Sequence, residues 1–268
     1  QSNHRAFLVW KSCTLSIVDT VGGGKLVGGN TATESTQALM SSTGGVINLY
    51  SGTITRNPDN KASTSGGVVF VGADSTFNMY GGKIYSTKKA VTVAMGKINM
   101  SGGIIESSAN YAVELSGSNS AFNMTGGKVA YTGTRYDTYS AVYLHGGTFT
   151  MNGADAYVYS QYSAVKFGNV RCKFDLIDGK VKGSVGLSID YNKPTVTISG
   201  GEIIGTSSYG INNKGAAVTI TDGTVKGVTA AVYNSGTATI TGGRFSASGS
   251  TSSGILNAAG SLSVSGAN

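Results

Sequence analysis

The chain has few of the residue types and patterns that are typical of helical, metal-binding or disulfide-linked proteins. Its 268 residues include two prolines, two cysteines, two histidines and one tryptophan, and only 12% of them are charged. No window carries apolar residues at sustained three- and four-residue spacing, which argues against amphipathic helices. No uninterrupted apolar run approaches the roughly 20 residues that a membrane-spanning helix needs. We therefore expect no membrane insertion.

Several chemistries lack the residues that they require. The histidines and cysteines show neither CxxC nor HxxxH spacing, so we predict no metal site. No glycine loop followed by Lys-Ser/Thr opens a helix, so we expect no phosphate cradle and no cofactor. The net charge of +7 comes from 20 basic residues that form no run, unlike the clusters of nucleic-acid-binding proteins. We expect no nucleic-acid partner; a diffuse positive charge favours weak attraction to acidic glycans, or serves solubility alone.

Glycine is abundant, with 41 copies, and together with the β-branched and aromatic residues it favours strands and tight turns. A short phrase recurs along the chain: an apolar, a polar and an apolar residue, any residue, Gly, Asp or Ser, then Gly, any residue and an apolar residue. Its copies begin at Ile47, Phe77, Ile98, Phe122, Phe149, Phe174, Val196, Val218, Ala238 and Leu262, with a divergent copy at Leu15. Successive copies, from Ile47 on, start 20 to 30 residues apart.

A second short motif lies between the copies, with clear examples at Val68, Ala90, Ala112, Ala141, Ala164 and Gly186. Each repeat therefore carries two or three short strands. Alternation at period two places the apolar residues of the phrase, such as Phe77 and Met79, inside and Asn78 outside. The repeat is too short for a propeller blade and has no helical segment for a leucine-rich repeat. Its length suits one coil of a solenoid in which equivalent strands stack.

The phrases MTGGKV (124–129), ISGGEI (198–203) and ITGGRF (240–245) resemble the repeats of right-handed parallel β-helix proteins of the pectate-lyase-like superfamily. Within that superfamily they are most similar to the glycine-rich repeats of non-catalytic bacterial surface and adhesin-like proteins. The resemblance implies an all-β, right-handed parallel β-helix solenoid. The phrase copies predict about 11 coils, a rod of about 50 Å and a single domain over 1–268. The first residues lack a secretion signal, and we expect a mature product or part of a longer chain.

Two columns of residues follow from the stacking. Asn213, Asn234 and Asn257 share the fourth place of the linking motif, which predicts an amide ladder; three turn asparagines are the alternative. Cys13 and Cys172 share another column but lie six coils apart, about 29 Å. A disulfide needs Cα atoms within about 7 Å, so we predict two free, buried thiols. A bond between two chains is the alternative.

The resemblance makes a polysaccharide lyase or hydrolase the rival interpretation, which requires gathered carboxylates. Asp175, Asp178 and Lys180 lie in the most charged coil and are candidate ligand-binding residues. However, Asp178 and Asp222 each precede a glycine, as turn residues do. The NTD, DD, GHG and RIK motifs of polygalacturonase-type hydrolases are absent. We predict no catalytic residue, and we interpret His145 as a surface or turn residue.

Three surface features could bind ligands. A long turn carries four candidate residues, whose aromatic and charged mixture suits sugars or a protein: Arg135, Tyr136, Asp137 and Tyr139. An inert insertion is the alternative. The seventh place of the phrase forms a sparse basic stripe with Lys83, Lys128, Lys180 and Arg244, interrupted by Asp155 and Glu202. The second place carries asparagines, then mainly threonines; an ice-binding array is disfavoured because Lys173 and Ala217 interrupt its neighbouring column.

The sequence favours a non-enzymatic, extracellular or cell-surface rod with a structural or adhesive function. Uncapped solenoid edges expose unpaired backbone groups, so we expect the rods to associate end to end into a filament. The alternative is a carbohydrate-active β-helix, either a polysaccharide lyase or hydrolase or a glycan-binding module. The expected partners are other copies of the chain and an anionic or neutral glycan.

Overall fold

The fold is all-β. A computed structural model describes residues 6–28, 38, 40–56, 67–134, 138–168, 171–190 and 193–266. Within these ranges the chain forms strands joined by turns, and no helix among them has the length and apolar character needed to cross a bilayer. The strands pair in parallel along the whole described structure. The predicted parallel β-solenoid is confirmed.

The strands are short, in keeping with the four-residue apolar alternation of the phrase. In chain order they are β1 (Phe7–Trp10), β2 (Thr14–Ile17), β3 (Lys25–Gly28), β4 (Met40–Thr43), β5 (Val46–Leu49), β6 (Thr53–Arg56), β7 (Val69–Val71), β8 (Thr76–Met79), β9 (Lys83–Ser86), β10 (Val91–Val93), β11 (Lys97–Met100), β12 (Ile104–Ser107), β13 (Val113–Leu115), β14 (Ala121–Met124), β15 (Lys128–Tyr131), β16 (Ser140–Leu144), β17 (Gly147–Met151), β18 (Tyr157–Ser160), β19 (Ser163–Phe167), β20 (Cys172–Leu176), β21 (Lys180–Gly183), β22 (Val185–Ile189), β23 (Thr195–Gly205), β24 (Tyr209–Asn213), β25 (Ala217–Gly227), β26 (Ala230–Asn234), β27 (Thr237–Ile240), β28 (Arg244–Ala247), β29 (Ser253–Asn257) and β30 (Ser261–Val264).

These strands stack in three columns, each strand lying beside its equivalent one turn along the chain. The first column contains the phrase strands β2, β5, β8, β11, β14, β17, β20, β27 and β30 and the first halves of β23 and β25. The second contains β3, β6, β9, β12, β15, β18, β21 and β28 and the second halves of β23 and β25. The third contains β1, β4, β7, β10, β13, β16, β19, β22, β24, β26 and β29. Each turn therefore contributes one strand to each column.

Apolar residues at equivalent positions of successive turns stack on one another inside the coil. Met79, Met100 and Met124 are direct partners in neighbouring strands and are at most 1% exposed. The rings of Phe122 and Phe149 stack at 4.6 Å between centroids with planes 8° apart. The predicted inward direction of the apolar phrase residues is therefore confirmed, and the core is one continuous stack.

The coil count differs slightly from the prediction. The third column runs unbroken through eight strands, from β10 to β29, and is interrupted between β7 and β10. At the interruption Gly67 and Val91 form an isolated antiparallel bridge. The uninterrupted solenoid thus has about eight turns rather than 11, although the phrase strands pair in register from β2 to β30.

The paired glycines of the phrase form the bend between the first and second columns. Gly103 has a φ of +82°, a backbone angle that residues with a Cβ rarely adopt. A Cβ on its neighbour Gly102 would collide with the carbonyl oxygen of Tyr80 in the turn below. The first glycine therefore permits close stacking of turns, and the second permits the bend.

The two cysteines are free, as predicted, but only one is buried. Cys172 is 3% exposed, and its Sγ donates a hydrogen bond to the carbonyl oxygen of Leu144 at 3.0 Å. Cys13 is exposed, which corrects the expectation of two buried thiols. It lies in the short connection between β1 and β2, at the first described turn, where no earlier turn of the described chain covers it.

Replacing Phe149 by alanine should destabilise the fold strongly. The ring is fully buried between Phe122 and Phe174, with centroids at 4.6 and 5.2 Å. The cavity should lower the free energy of unfolding by about 3–5 kcal/mol, measured by urea denaturation. Thr150→Ala, on the same strand but facing outward, should change it by about 0.5 kcal/mol or less. Equal losses in the two variants would contradict the inward stacking.

Candidate functional site

The long turn that the sequence nominates is only partly described. Three of its candidate residues lie outside the described residues: Arg135, Tyr136 and Asp137. Tyr139 is half-buried, and its ring packs edge-on against Tyr111 at 5.4 Å between centroids. It also lies 6.1 Å from the ring of the buried Tyr131. Tyr139 therefore contributes to an aromatic cluster that anchors this part of the coil.

Asp178 has the turn function that its position before glycine predicts. Its carboxylate accepts a hydrogen bond from the backbone N–H of Gly179 at 2.7 Å. Asp222 makes the same contact with Gly223, also at 2.7 Å. Both glycines have positive φ. The two aspartates are therefore accounted for as residues that fix the bend.

The charged coil does not gather its charges into one site. Asp175 points outward from the first column and forms an ion pair with Lys173 at 2.8 Å. Lys180 lies beyond the bend, on the second column, and pairs with Glu202 of the next turn at 2.9 Å. Because the strands on either side of the bend belong to different columns, Asp175 and Lys180 have separate partners. This arrangement offers no facing pair of carboxylates for acid and base chemistry.

The remaining titratable candidates are isolated. His145 is exposed, and the nearest aromatic contact of its ring is Tyr143 at 6.0 Å between centroids, which agrees with a surface position. Among the described residues, no group of three or more histidine, cysteine, aspartate or glutamate side chains is placed to hold a metal ion.

The inner asparagines form a hydrogen-bonded ladder. The Nδ2 of Asn213 donates to the Oδ1 of Asn234 at 2.8 Å, and the Nδ2 of Asn234 donates to the Oδ1 of Asn257 at 2.7 Å. Asn213 and Asn234 are fully buried. The Oδ1 of Asn213 also accepts the backbone N–H of Ala216 at 2.8 Å. These amides stabilise both the stack and the turn that follows each strand.

A second ladder lies on the outside of the first column, where sequence reasoning recorded only polar residues. The four asparagines Asn48, Asn78, Asn99 and Asn123 each donate from Nδ2 to the residue one turn back, and the first donates to Ser16. The three contacts between asparagines measure 2.8 to 3.1 Å. The signal was present in the repeated FNM and INM phrases. It was missed because an outward polar residue is normally assigned to solvent.

A group of cations lies on the outer surface of the second column, which we call the basic surface. Its outward residues include seven cations: Lys25, Lys83, Lys128, Lys180, Lys182, Lys226 and Arg244. They also include two carboxylates and three aromatic rings: Glu106, Glu202, Tyr85, Tyr157 and Tyr159. The basic stripe of the sequence is thus one edge of a broader surface.

The structure corrects one member of that stripe. The phrase predicts the seventh place for Asp155, but the residue lies in the turn before β18 and is exposed. Tyr157 takes the place beside Lys128 and Lys180 instead. The turn 152–156 has two residues more than the same turn in the other regular copies, and this moves Asp155 out of the seventh place and Tyr157 into line with Lys128. An acidic interruption is therefore replaced by an aromatic ring.

Ion pairs along the basic surface join neighbouring turns. Lys83 lies 3.1 Å from Glu106, and Glu202 lies between Lys180 at 2.9 Å and Lys226 at 2.7 Å. Hydrogen bonds from Lys226 and then from Lys180 lower the pKa of the Glu202 carboxyl. Glu202 therefore stays ionised and compensates part of the charge of the two lysines.

An aromatic turn lies near the middle of the basic surface. The ammonium of Lys128 lies 5.9 Å from the ring centroid of Tyr157 and 5.7 Å from that of Tyr159, within the range of cation–π attraction. Partial burial raises the pKa of the Tyr157 hydroxyl, and the charge of Lys180 opposes the rise. Both rings are half-buried in the outer face of this turn.

Two open depressions lie on the basic surface, one near each end. The first, of about 280 Å³, is lined by Lys25, Thr53, Thr55, Lys83 and Tyr85. The second, of about 520 Å³, is lined by Thr224, Lys226, Arg244, Phe245 and Ser246. Both combine cations, hydroxyls and an aromatic ring. The basic surface is consequently the best candidate for a ligand-binding site.

Comparison with known proteins gives no match to a family model, to a curated protein or to a solved structure.

The buried ladder should contribute more to stability than the outer one. Asn234→Ala removes an amide that bonds to Asn213 and Asn257, and Asn213 has no solvent to replace it. We expect a loss of about 1–3 kcal/mol in the free energy of unfolding. Asn99→Ala also removes an amide bonded on both sides, but water can reach its neighbours, so about 1 kcal/mol or less is expected. A larger loss for Asn99→Ala in urea denaturation would reverse this ranking.

Proposed function

We propose that the chain is a non-enzymatic structural and adhesive rod that acts outside the cell or on its surface. The observation that carries the proposal is the in-register stack of apolar residues, which makes the described chain one stiff, elongated core. A solenoid of this kind resists bending because each turn bonds to the turns before and after it. The resemblance of the glycine-rich phrases to those of surface proteins supports the extracellular location in this proposal.

The use of the carboxylates supports a non-catalytic function. Eight of them in the described ranges bond to lysines or to backbone N–H groups of turns: Asp19, Glu106, Glu114, Asp175, Asp178, Asp190, Glu202 and Asp222. The pKa of Asp19 is lowered because Gly24, Gly22 and Val21 donate hydrogen bonds to it. A general acid needs the opposite shift, toward neutral pH. Asp19 is therefore better suited to holding its turn than to proton transfer.

End-to-end association of copies is the second part of the proposal. The first and last described turns carry strands of matching pattern, TLSI in β2 and SLSV in β30. Their inward residues are Leu15 and Ile17 at one end and Leu262 and Val264 at the other. All four are at least partly exposed, unlike the equivalent residues inside the stack. A second copy placed head to tail would continue the apolar column, and such a contact repeats without closing.

The runner-up is a carbohydrate-active or carbohydrate-binding β-solenoid. The features that favour it are the cations, tyrosines and depressions of the basic surface. Because Asp175 and Lys180 are separated, a carbohydrate-binding protein is favoured over a hydrolase or lyase.

An activity screen tests the non-enzymatic part. We expect no release of reducing ends or unsaturated products from polygalacturonate, alginate or neutral glycans over hours at neutral and acidic pH, with and without calcium. Turnover that disappears in Asp175→Asn and Asp178→Asn, while Asp222→Asn keeps it, would show an enzyme and overturn the proposal. The last variant is a matched control because Asp222 caps its bend in the same way as Asp178.

Electron microscopy and sedimentation velocity test the end-to-end association. We expect fibres of constant width whose length grows with protein concentration. Leu262→Lys should abolish them because it places a charge in the apolar contact, whereas Ser263→Lys, which points outward on the same strand, should leave them intact. A monomer at every concentration, or equal assembly of both variants, would reject the end-to-end contact.

A further inference from the structure

The cations of the basic surface follow a regular period along the solenoid. Numbering the turns of the second column from β3, they lie on its first, third, fifth, seventh and ninth turns, as Lys25, Lys83, Lys128, Lys180 with Lys182, and Lys226. Arg244 follows on the tenth turn. Neighbouring strands are about 4.8 Å apart, so the period is about 10 Å.

The turns between the cations carry a different chemistry. The second holds Thr53 and Thr55, and the sixth holds Tyr157 and Tyr159. The fourth and eighth turns hold the carboxylates Glu106 and Glu202. The odd turns therefore attract a negatively charged group of a ligand. The fourth and eighth turns repel it.

Charge repulsion between stacked lysines does not by itself produce this pattern. Repulsion disfavours cations directly opposite each other on adjacent turns but is equally satisfied by turns with no charge. Here every odd turn from the first to the ninth carries a cation. The surface as a whole has seven cations and only two carboxylates. The surface keeps a net positive charge along its length, which would attract an anionic polymer.

The shape of the basic surface selects a linear polymer. It is two outward residues wide, about 7 Å, and about 43 Å long from β3 to β28. A single extended polymer chain matches the width of such a strip. A membrane surface is far wider than the strip, so most of it would make no contact with the cations. The rings of Tyr85, Tyr157 and Tyr159 offer stacking surfaces for sugar rings, which phosphate polymers without sugars cannot use.

We propose that the basic surface binds a linear acidic polysaccharide in which charged and uncharged sugars alternate. One disaccharide of an extended glycan is about as long as two turns of the solenoid. Its acidic sugar would lie at a cation turn, and its neutral sugar at a turn with hydroxyls or tyrosines. A polyuronate with a carboxylate on every sugar would place charges against Glu106 and Glu202. This inference rests on the adhesive function proposed above and specifies its ligand.

Affinity measurements with defined polymers test the period. Hyaluronan carries one carboxylate per disaccharide, polygalacturonate carries one on every sugar, and dextran carries none. We expect hyaluronan to bind roughly tenfold more tightly than polygalacturonate in biolayer interferometry at low salt, with no binding of dextran. Equal affinities, a preference for polygalacturonate, stronger binding to phosphatidylglycerol vesicles, or no binding to any probe would each overturn the proposal.

Paired variants locate the binding. The double variant Lys128→Gln and Lys182→Gln, and the double variant Tyr157→Ala and Tyr159→Ala, should each weaken hyaluronan binding roughly tenfold. The matched control removes two charges elsewhere, by Lys97→Gln and Lys193→Gln, and should bind as the parent does. Circular dichroism and thermal unfolding show that each variant is folded. An equal loss of hyaluronan affinity in the control would show that only the net charge of the protein matters. That result would refute the proposed site.

Removing a repelling carboxylate tests the selectivity separately. Glu202→Gln should raise affinity for polygalacturonate more than for hyaluronan, so the ratio between the two should shrink. An unchanged ratio would contradict the function assigned to the even turns. Since fibre formation and the lack of turnover are measured without any glycan, failure of the glycan proposal remains distinguishable from failure of the rod.

Discussion

The whole structure depends on one constraint: each side chain in a parallel, in-register stack lies against its own equivalent one turn away. A residue type can therefore recur on successive turns of a column only if it can contact a copy of itself. Methyl-rich and aromatic side chains meet this condition through packing, as Met79 with Met100 and Phe122 with Phe149 show. Asparagine meets it because its amide is both donor and acceptor, so Asn213 can bond to Asn234.

Charged residues do not meet the condition, and their placement shows how the chain resolves it. Lysines stacked directly would repel. On the second column, threonines, tyrosines or carboxylates lie between successive lysines, as Glu202 lies between Lys180 and Lys226. The result is a row of cations at a spacing set by the backbone rather than by the side chains. The same constraint that builds the core thus limits where cations can lie on the surface.

The constraint also explains what the sequence could and could not predict. The phrase revealed the columns and the inward direction of Met79 because every copy has to satisfy the same neighbours. It did not reveal the position of Asp155, since the longer turn Asn152–Ala156 changes the register without changing the phrase. The exposure of Cys13 and the interruption of the third column before β10 are properties of individual turns. A repeat pattern describes only what the turns share, so it does not predict them. The outer ladder needed geometry, because only coordinates show that Asn78 bonds to Asn48 rather than to water.

A stack of this kind would recognise the proposed polymer differently from a pocket. A loop-built site can adjust its groups to a ligand, but the distance between turns here is fixed by backbone hydrogen bonds such as that from Lys83 N to Gly52 O at 2.8 Å. Changing that distance would break the ladder of every turn. Selectivity must then come from the match between two periods, that of the solenoid and that of the polymer. A short oligomer samples few turns and discriminates weakly, while a long chain accumulates any mismatch, so selectivity should grow with the length of the bound polymer.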